Sequence, residues 1–153
     1  MSILTIGTVA FDAIETPFDK VDRILGGSAT YSALASRYFS DTVRVSAVVG
    51  GDFPEKYVAE LRSRGLDLDG LEVIEDGKTF FWAGRYHSNL NGRDTITTDL
   101  NVLAGFDPKL PSSYRDSRIL CLGNLDPKIQ LSVLDQVHEP DLVICDTMNY
   151  WID

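Results

Sequence analysis

Apolar residues along this chain gather in short runs, and the runs alternate with stretches spaced like one face of a helix. Ile3 to Gly7 is β-branched and apolar and predicts a first strand. From Ser28 to about Phe39, the residues Ala29, Ala33, Leu34 and Tyr38 fall at helical spacing, with Ser28 as the N-cap. Val43 to Val49 predicts a second strand, stopped by Gly50-Gly51-Asp52. Pro54 suits the first turn of a second helix, with Tyr57, Val58 and Leu61 as its apolar stripe and Gly65 as its C-cap. Residues 66–78 read as acidic and turn-rich, 79–86 (TFFWAGRY) as a strand, and 87–101 as polar and irregular. Ile119 to Leu122 predicts a further strand. Asp126-Pro127 opens a helix with Ile129, Val133 and Val137 on one stripe, and Leu142 to Cys145 predicts a last strand.

This order predicts an α/β fold with a doubly wound, mostly parallel, Rossmann-like sheet. A length of 153 residues suits one domain. The 79–101 region breaks the alternation and reads as a small β lid standing out from the main sheet.

Charge and composition then narrow the function. A formal net charge of −9 argues against a nucleic-acid binder, which needs a basic surface. No apolar run is long enough to cross a bilayer, so a membrane is not an expected partner. The first residues carry no basic segment or cleavage site, and the expected location is the cytoplasm. Cys121 and Cys145 each sit in an apolar run and read as buried free thiols. His87 and His138 have no companions at ligand spacing, so no metal site is expected.

In open α/β sheets, ligands bind beyond the carboxyl ends of the strands. Asp12 lies after the first predicted strand and Asp52 after the second. Asn124 and Asp126 follow the third sheet strand, and Asp146 and Asn149 the last. Carboxylates and amides at several strand ends point to a polyol or sugar pocket, although Asp52 and Asp126 equally suit helix caps. Gly26-Gly27 precedes a helix start. Bare backbone there permits close approach by a ligand, or only a tight turn. Neither a Gly-Lys-Ser/Thr phosphate loop nor a G-x-G-x-x-G follows, which sets a nicotinamide cofactor aside.

Taken together, LTIGTVAFD, GGSATYSALA, VSAVVGGDFPEKYVAELRSRGLDLDGL and DLVICDTMN resemble the N-terminal half of the PfkB/ribokinase family of sugar and nucleoside kinases. The resemblance implies a ribokinase-type sheet and transfer of the γ-phosphoryl of ATP, with Mg2+, to a hydroxymethyl group of a sugar or nucleoside. It makes Asp12 the carboxylate that holds acceptor hydroxyls, and Gly26 and Gly27 the pair whose backbone lines the sugar. Tyr31 stands where the family commonly has Asn, and Ala10 likewise, so a standard ribose pocket is not implied. Arg85, Asn91 and Arg93 are lid candidates for contact with the acceptor. Asn124 and Asn149 complete the substrate-binding set. Strands of such lids often pair between subunits, which makes a homodimer through the lid one reading of the aromatics there, and packing within one monomer explains them equally well. Alternation in TFFWAGRY would put Phe80 and Trp82 on one face and Phe81 on the other.

The family's Gly-Ala-Gly-Asp-like stretch, with its general base and anion hole, is absent from these residues, as is the nucleotide-binding segment. The expectation is therefore that residues 1–153 are the N-terminal part of a single domain, without catalytic or metal-binding residues and inactive alone. The apolar ending with Met148, Trp151 and Ile152 fits that expectation. The alternative is a non-catalytic sugar-binding module or pseudokinase. A generic doubly wound domain for a flavin or nucleotide is a third reading.

Overall fold

The computed structural model describes residues 1–147. In chain order its elements are β1 (Ser2–Ile6), β2 (Ala10–Glu15), β3 (Lys20–Gly26), α1 (Ser28–Ser36), β4 (Thr42–Gly50), α2 (Glu55–Ser63), β5 (Leu66–Ile74), β6 (Phe81–Tyr86), β7 (Arg93–Asp99), β8 (Ile119–Leu122), α3 (Pro127–Leu134) and β9 (Leu142–Cys145). Asn149, Met148, Trp151 and Ile152 lie outside the described residues.

The main sheet is parallel throughout, in the order β5-β4-β1-β8-β9, as the alternating pattern predicts. Its central strands are buried on both faces, so successive residues enter different cores. Ile3 of β1 joins Val43, Val45 and Val49 of β4 under α1 and α2. Leu4 and Ile6 join Leu120 and Leu122 on the other face, beneath α3. On α1 Ala29, Thr30 and Ala33 are buried, and such small side chains let the helix lie close on the sheet.

A second sheet, in the order β3-β2-β6-β7, is built from two separate stretches of chain. The pattern reading anticipates only part of it. β6 coincides with the strand expected at 79–86, but 93–99 is a strand where an irregular segment is expected. Residues 10–15 and 20–26 are strands that the reading passes over entirely. β2 buries only Ala10 and Phe11 fully, and β3 exposes Lys20, Asp22 and Arg23, so neither gives a clean apolar run. Residues 66–74 form β5, an edge strand of the main sheet. Leu66 and Leu68 point inward while Asp69 points out. The Asp-Gly that reads as a turn is absorbed in a register shift against β4 instead.

Tyr114 shows how the β5 edge is pinned. Its ring is fully buried, its hydroxyl lies 2.7 Å from Asp67 Oδ1, and it accepts the Gly70 N–H at 3.1 Å. Burial first, and then the Asp67 carboxylate, push the phenol far above its ordinary pKa, so it stays a neutral donor. Tyr114→Phe strands the Gly70 N–H and is expected to lower unfolding stability by about 1–2 kcal/mol, read by urea denaturation.

The two cysteines differ from expectation. Both are free thiols, but Cys121 is half-buried and Cys145 is exposed. Cys145 lies on β9, the outer strand of the sheet, where Leu142, Val143 and Ile144 are exposed too. No helix among the described residues is long and apolar enough to cross a membrane.

Candidate functional site

The carboxyl ends of β1 and β8 meet the start of α1. Gly7 and Gly123 both press on the Ser28 side chain: a Cβ built on them would lie 2.5 Å and 2.8 Å from Ser28 Oγ. Ser28 is not the N-cap that its position suggests. Gly27 occupies that place, and the cap is supplied by Thr8, twenty residues earlier. Thr8 Oγ1 accepts the Ser28 N–H at 2.9 Å, and the Thr8 carbonyl accepts the Ala29 N–H at 3.0 Å. No local pattern signals a cap supplied from the distant β1–β2 loop.

The glycine pair serves close approach, but first by the protein itself. Gly27 has φ of 102° and ψ of 146°, and its missing side chain would fall 2.2 Å from the Thr8 carbonyl oxygen. The missing side chain of Gly26 would fall 2.1 Å from Asp12 Oδ2. Gly26 is further held by its carbonyl, which accepts the buried Thr30 hydroxyl at 2.8 Å. Asp12, Gly26, Gly27, Thr8 and Ser28 thus form one continuous run of contacts at the junction of the two sheets.

Asp12 is not in a loop after β1. It sits on β2, paired with Ile24 of β3 and Trp82 of β6. Its carboxylate is half-buried and takes no hydrogen bond or ion pair among the described residues. Burial alone raises its pKa above the ordinary carboxylate value. Two of the other strand-end carboxylates, Asp126 and Asp52, have work within the protein, while Asp146 is exposed and bonds only through its backbone. Asp126 caps α3 by accepting the Lys128 N–H at 2.8 Å. Asp52 is bonded to Thr79 and Arg23. The backbone N–H and carbonyl of Asp146 bond Leu122 and Gln130.

The remaining candidates scatter. Asn124 is half-buried just past β8, beside Gly123, whose carbonyl accepts from Gln130. Tyr31 is not in the core: it is 58% exposed, and its hydroxyl donates to the Leu25 carbonyl at 3.2 Å. Arg85 is ion-paired with Glu15 at 2.8 Å on the neighbouring strand. Asn91 lies in the β6–β7 turn, where its N–H donates to Asn89 Oδ1. Arg93 lies over the Trp82 ring, 5.8 Å from guanidinium carbon to centroid. Phe81 packs against the core under α1 and α2, while Trp82, next along the strand, lies on the face shared with Asp12. Phe80 precedes the strand.

A nucleotide or Mg2+ does not fit this junction. The N–H groups of Ser28 and Ala29, the natural phosphate donors of such a helix start, are spent on Thr8. Among the described residues no group of three or more His, Cys, Asp or Glu could hold a metal ion.

A parallel five-stranded sheet carrying a four-stranded second sheet gives the chain a ribokinase-like class of fold. Solved structures that share it include an archaeal nucleoside kinase of the ribokinase family from Methanocaldococcus jannaschii, 18% identical over 94% of this chain and 51% of that one, with a TM-score of 0.71. A nucleoside kinase from Burkholderia thailandensis in complex with inosine is 14% identical over 88% of this chain and 48% of that one, with a TM-score of 0.72. Ribokinase from Cryptococcus neoformans var. grubii serotype A in complex with ADP is 18% identical over 88% of this chain and 45% of that one, with a TM-score of 0.66. The chain spans about half the length of the solved structures that it matches. No family model matches the sequence, and neither does any curated protein.

Proposed function

We propose that this chain is the acceptor-binding half of an ATP-dependent kinase that phosphorylates a hydroxymethyl group of a sugar or nucleoside. The observation that carries this reading is Asp12, a half-buried carboxylate with no partner among the described residues, set against Gly26. A carboxylate kept in that state costs stability, and two neighbouring hydroxyls of a polyol would satisfy it and fix the ring's orientation. Fixing orientation is the main contribution that protein groups make to phosphoryl transfer, together with charge stabilisation. The nucleoside and ribose kinases that share the fold support the same acceptor class.

Within this proposal the second sheet is the lid that keeps water from the acceptor. Arg93 and Asn91 are its nearest candidates for acceptor contact. Arg85 contributes less, because its guanidinium is already paired with Glu15. Asn124, just past β8, and Asn149, which lies outside the described residues, are assigned to acceptor binding by the same reading. Tyr31 shapes its outer wall. The general base, the anion hole and the ATP and Mg2+ sites are assigned to chain outside these 153 residues. The face that holds Trp82 also holds Ile14, Val21 and Ile24, and it supports a homodimer formed through the lids. Sedimentation of the complete protein is expected to give a dimer that Trp82→Arg weakens.

The test is a panel of pentoses, hexoses, nucleosides and inositol, each offered with ATP and Mg2+ to the complete natural protein. ADP release and 31P NMR of the product are read. Phosphorylation of at least one neutral acceptor at its hydroxymethyl group is expected. An acceptor that binds in calorimetry but is never phosphorylated would support the sugar-binding module instead, and no binding at all would overturn both.

A further inference from the structure

The turn that ends β4 reads Gly50-Gly51-Asp52, and Asp52 reaches away from the pocket. Its Oδ1 accepts both the Thr79 N–H at 2.8 Å and the Thr79 hydroxyl at 2.7 Å. Its Oδ2 accepts from the Arg23 guanidinium at 2.7 Å. Each partner leads into the second sheet. Thr79 is buried just before β6, and its hydroxyl oxygen accepts the Gly50 N–H at 3.0 Å. The Thr79 carbonyl accepts from the Asn101 side chain at 2.9 Å, where the chain leaves β7. Arg23 lies on β3, and its guanidinium carbon stands 3.9 Å from the centroid of the Phe11 ring on β2. One carboxylate past the end of a main-sheet strand therefore holds β3 directly through Arg23 and, through Thr79, the chain that enters β6.

An exposed Arg–Asp pair alone would be worth little. Here the same carboxylate also takes two directional bonds from one buried threonine, and such charge-assisted bonds are the strong ones. Burial works to raise the Asp52 pKa, but the two Thr79 bonds and then Arg23 outweigh it, and the carboxyl is held below its ordinary value. It is a stable anion at neutral pH.

We propose that Asp52 is a positioning residue, a clasp that fixes the angle at which the second sheet, which carries Asp12 and Gly26, stands against the main sheet. Asp52 touches neither acceptor nor nucleotide in this scheme. It acts by holding Thr79 and Arg23. A second sheet freed from the clasp samples more angles, and the acceptor then has to select the closed one. The consequence for acceptor binding rests on the proposed kinase reading. The clasp itself does not.

The experiment uses the complete protein with Asp52→Asn, Arg23→Met and the double variant. Backbone hydrogen exchange is followed by mass spectrometry, and steady-state kinetics by ADP release. In either single variant, exchange over 10–15, 20–26, 81–86 and 93–99 is expected to accelerate about 10-fold, while 42–50 keeps its protection. The acceptor KM is expected to rise about 10-fold, with KM for ATP unchanged. The double variant is expected to be no worse than the worse single one, because both substitutions cut one clasp. Unchanged exchange in the second sheet would overturn the clasp, as would equal acceleration in both sheets, which marks general destabilisation. Faster exchange with an unchanged acceptor KM would overturn the role in acceptor binding. If no acceptor is ever phosphorylated, the kinase reading fails, and the exchange arm still decides the clasp.

Discussion

Asp12→Asn is expected to cost on the order of 100-fold in acceptor kcat/KM while raising the thermal stability of the free protein. The two effects share a cause. The carboxylate is half-buried with no partner among the described residues, and burial alone lifts its pKa. A folded-state pKa above the unfolded one means that the folded protein binds this proton more tightly. The stabilising contribution is therefore complete below the ordinary carboxylate value and disappears as pH rises through the raised one. At neutral pH the ionised group works against folding. Asparagine has the same shape without the charge, so its melting temperature should exceed that of the parent at neutral pH, and the gap should close in acid. Acceptor hydroxyls reverse the sign locally, because they stabilise the anion. Acceptor affinity in the parent should thus strengthen as pH rises through the same window, and in Asp12→Asn it should not. Melting curves and calorimetric titration at a series of pH values read both halves. A melting temperature that falls at neutral pH in the variant would contradict the assignment of Asp12 as an unsatisfied binding group.

Gly27→Ala is expected to be the most damaging single substitution in the chain, lowering stability by on the order of 3 kcal/mol. For a chain of this size that corresponds to a fall in melting temperature of roughly 10 °C. The backbone at φ of 102° and ψ of 146° is open to glycine and closed to nearly everything else. Nor can the neighbour give way, since the new Cβ would meet the carbonyl of Thr8, which itself caps α1. Gly26→Ala makes an instructive contrast. Its Cβ would meet the end of the Asp12 side chain, which can swing aside. It should therefore fold nearly as well as the parent but bind acceptor as poorly as Asp12→Asn, and combining the two should add little. Equal loss of stability in both glycine variants would show that the pair serves only the turn.

How much of this was legible beforehand depended on what kind of interaction made each element. β1, β4 and β8 are largely apolar runs whose burial follows from composition, and β9 is an apolar run at the exposed edge, so the parallel sheet could be read directly. α2 and α3 carry stripes at helical spacing for the same reason. Asp12 and the glycine pair were legible as residue types in a recognisable order. The second sheet was half hidden. β2 and β3 lie between β1 and α1 and pair with each other, and β2 pairs with β6 some seventy residues away. Their residues satisfy a one-sided, partly exposed sheet whose stability comes from distant partners rather than from any local period. The LDLD alternation of β5 was visible, but its acidic residues and Asp-Gly imitate a turn until the Tyr114 hydroxyl and β4 claim them.

The strand-end carboxylates make the same point for function. By sequence, Asp12, Asp52, Asp126 and Asp146 are equivalent, each an acid past a predicted strand. Only tertiary contacts separate them. Asp126 finds a helix N–H two residues on, Asp52 finds Thr79 and Arg23 from two other segments, and Asp12 is left with burial and no partner among the described residues. Sequence by itself determined which residues would be apolar enough to make a parallel sheet and which polar groups would lie near its carboxyl edge. Tertiary structure decided which of those groups are already satisfied, because a side chain's hydrogen-bond partners come from whichever segments the fold brings alongside it, at no fixed distance along the chain.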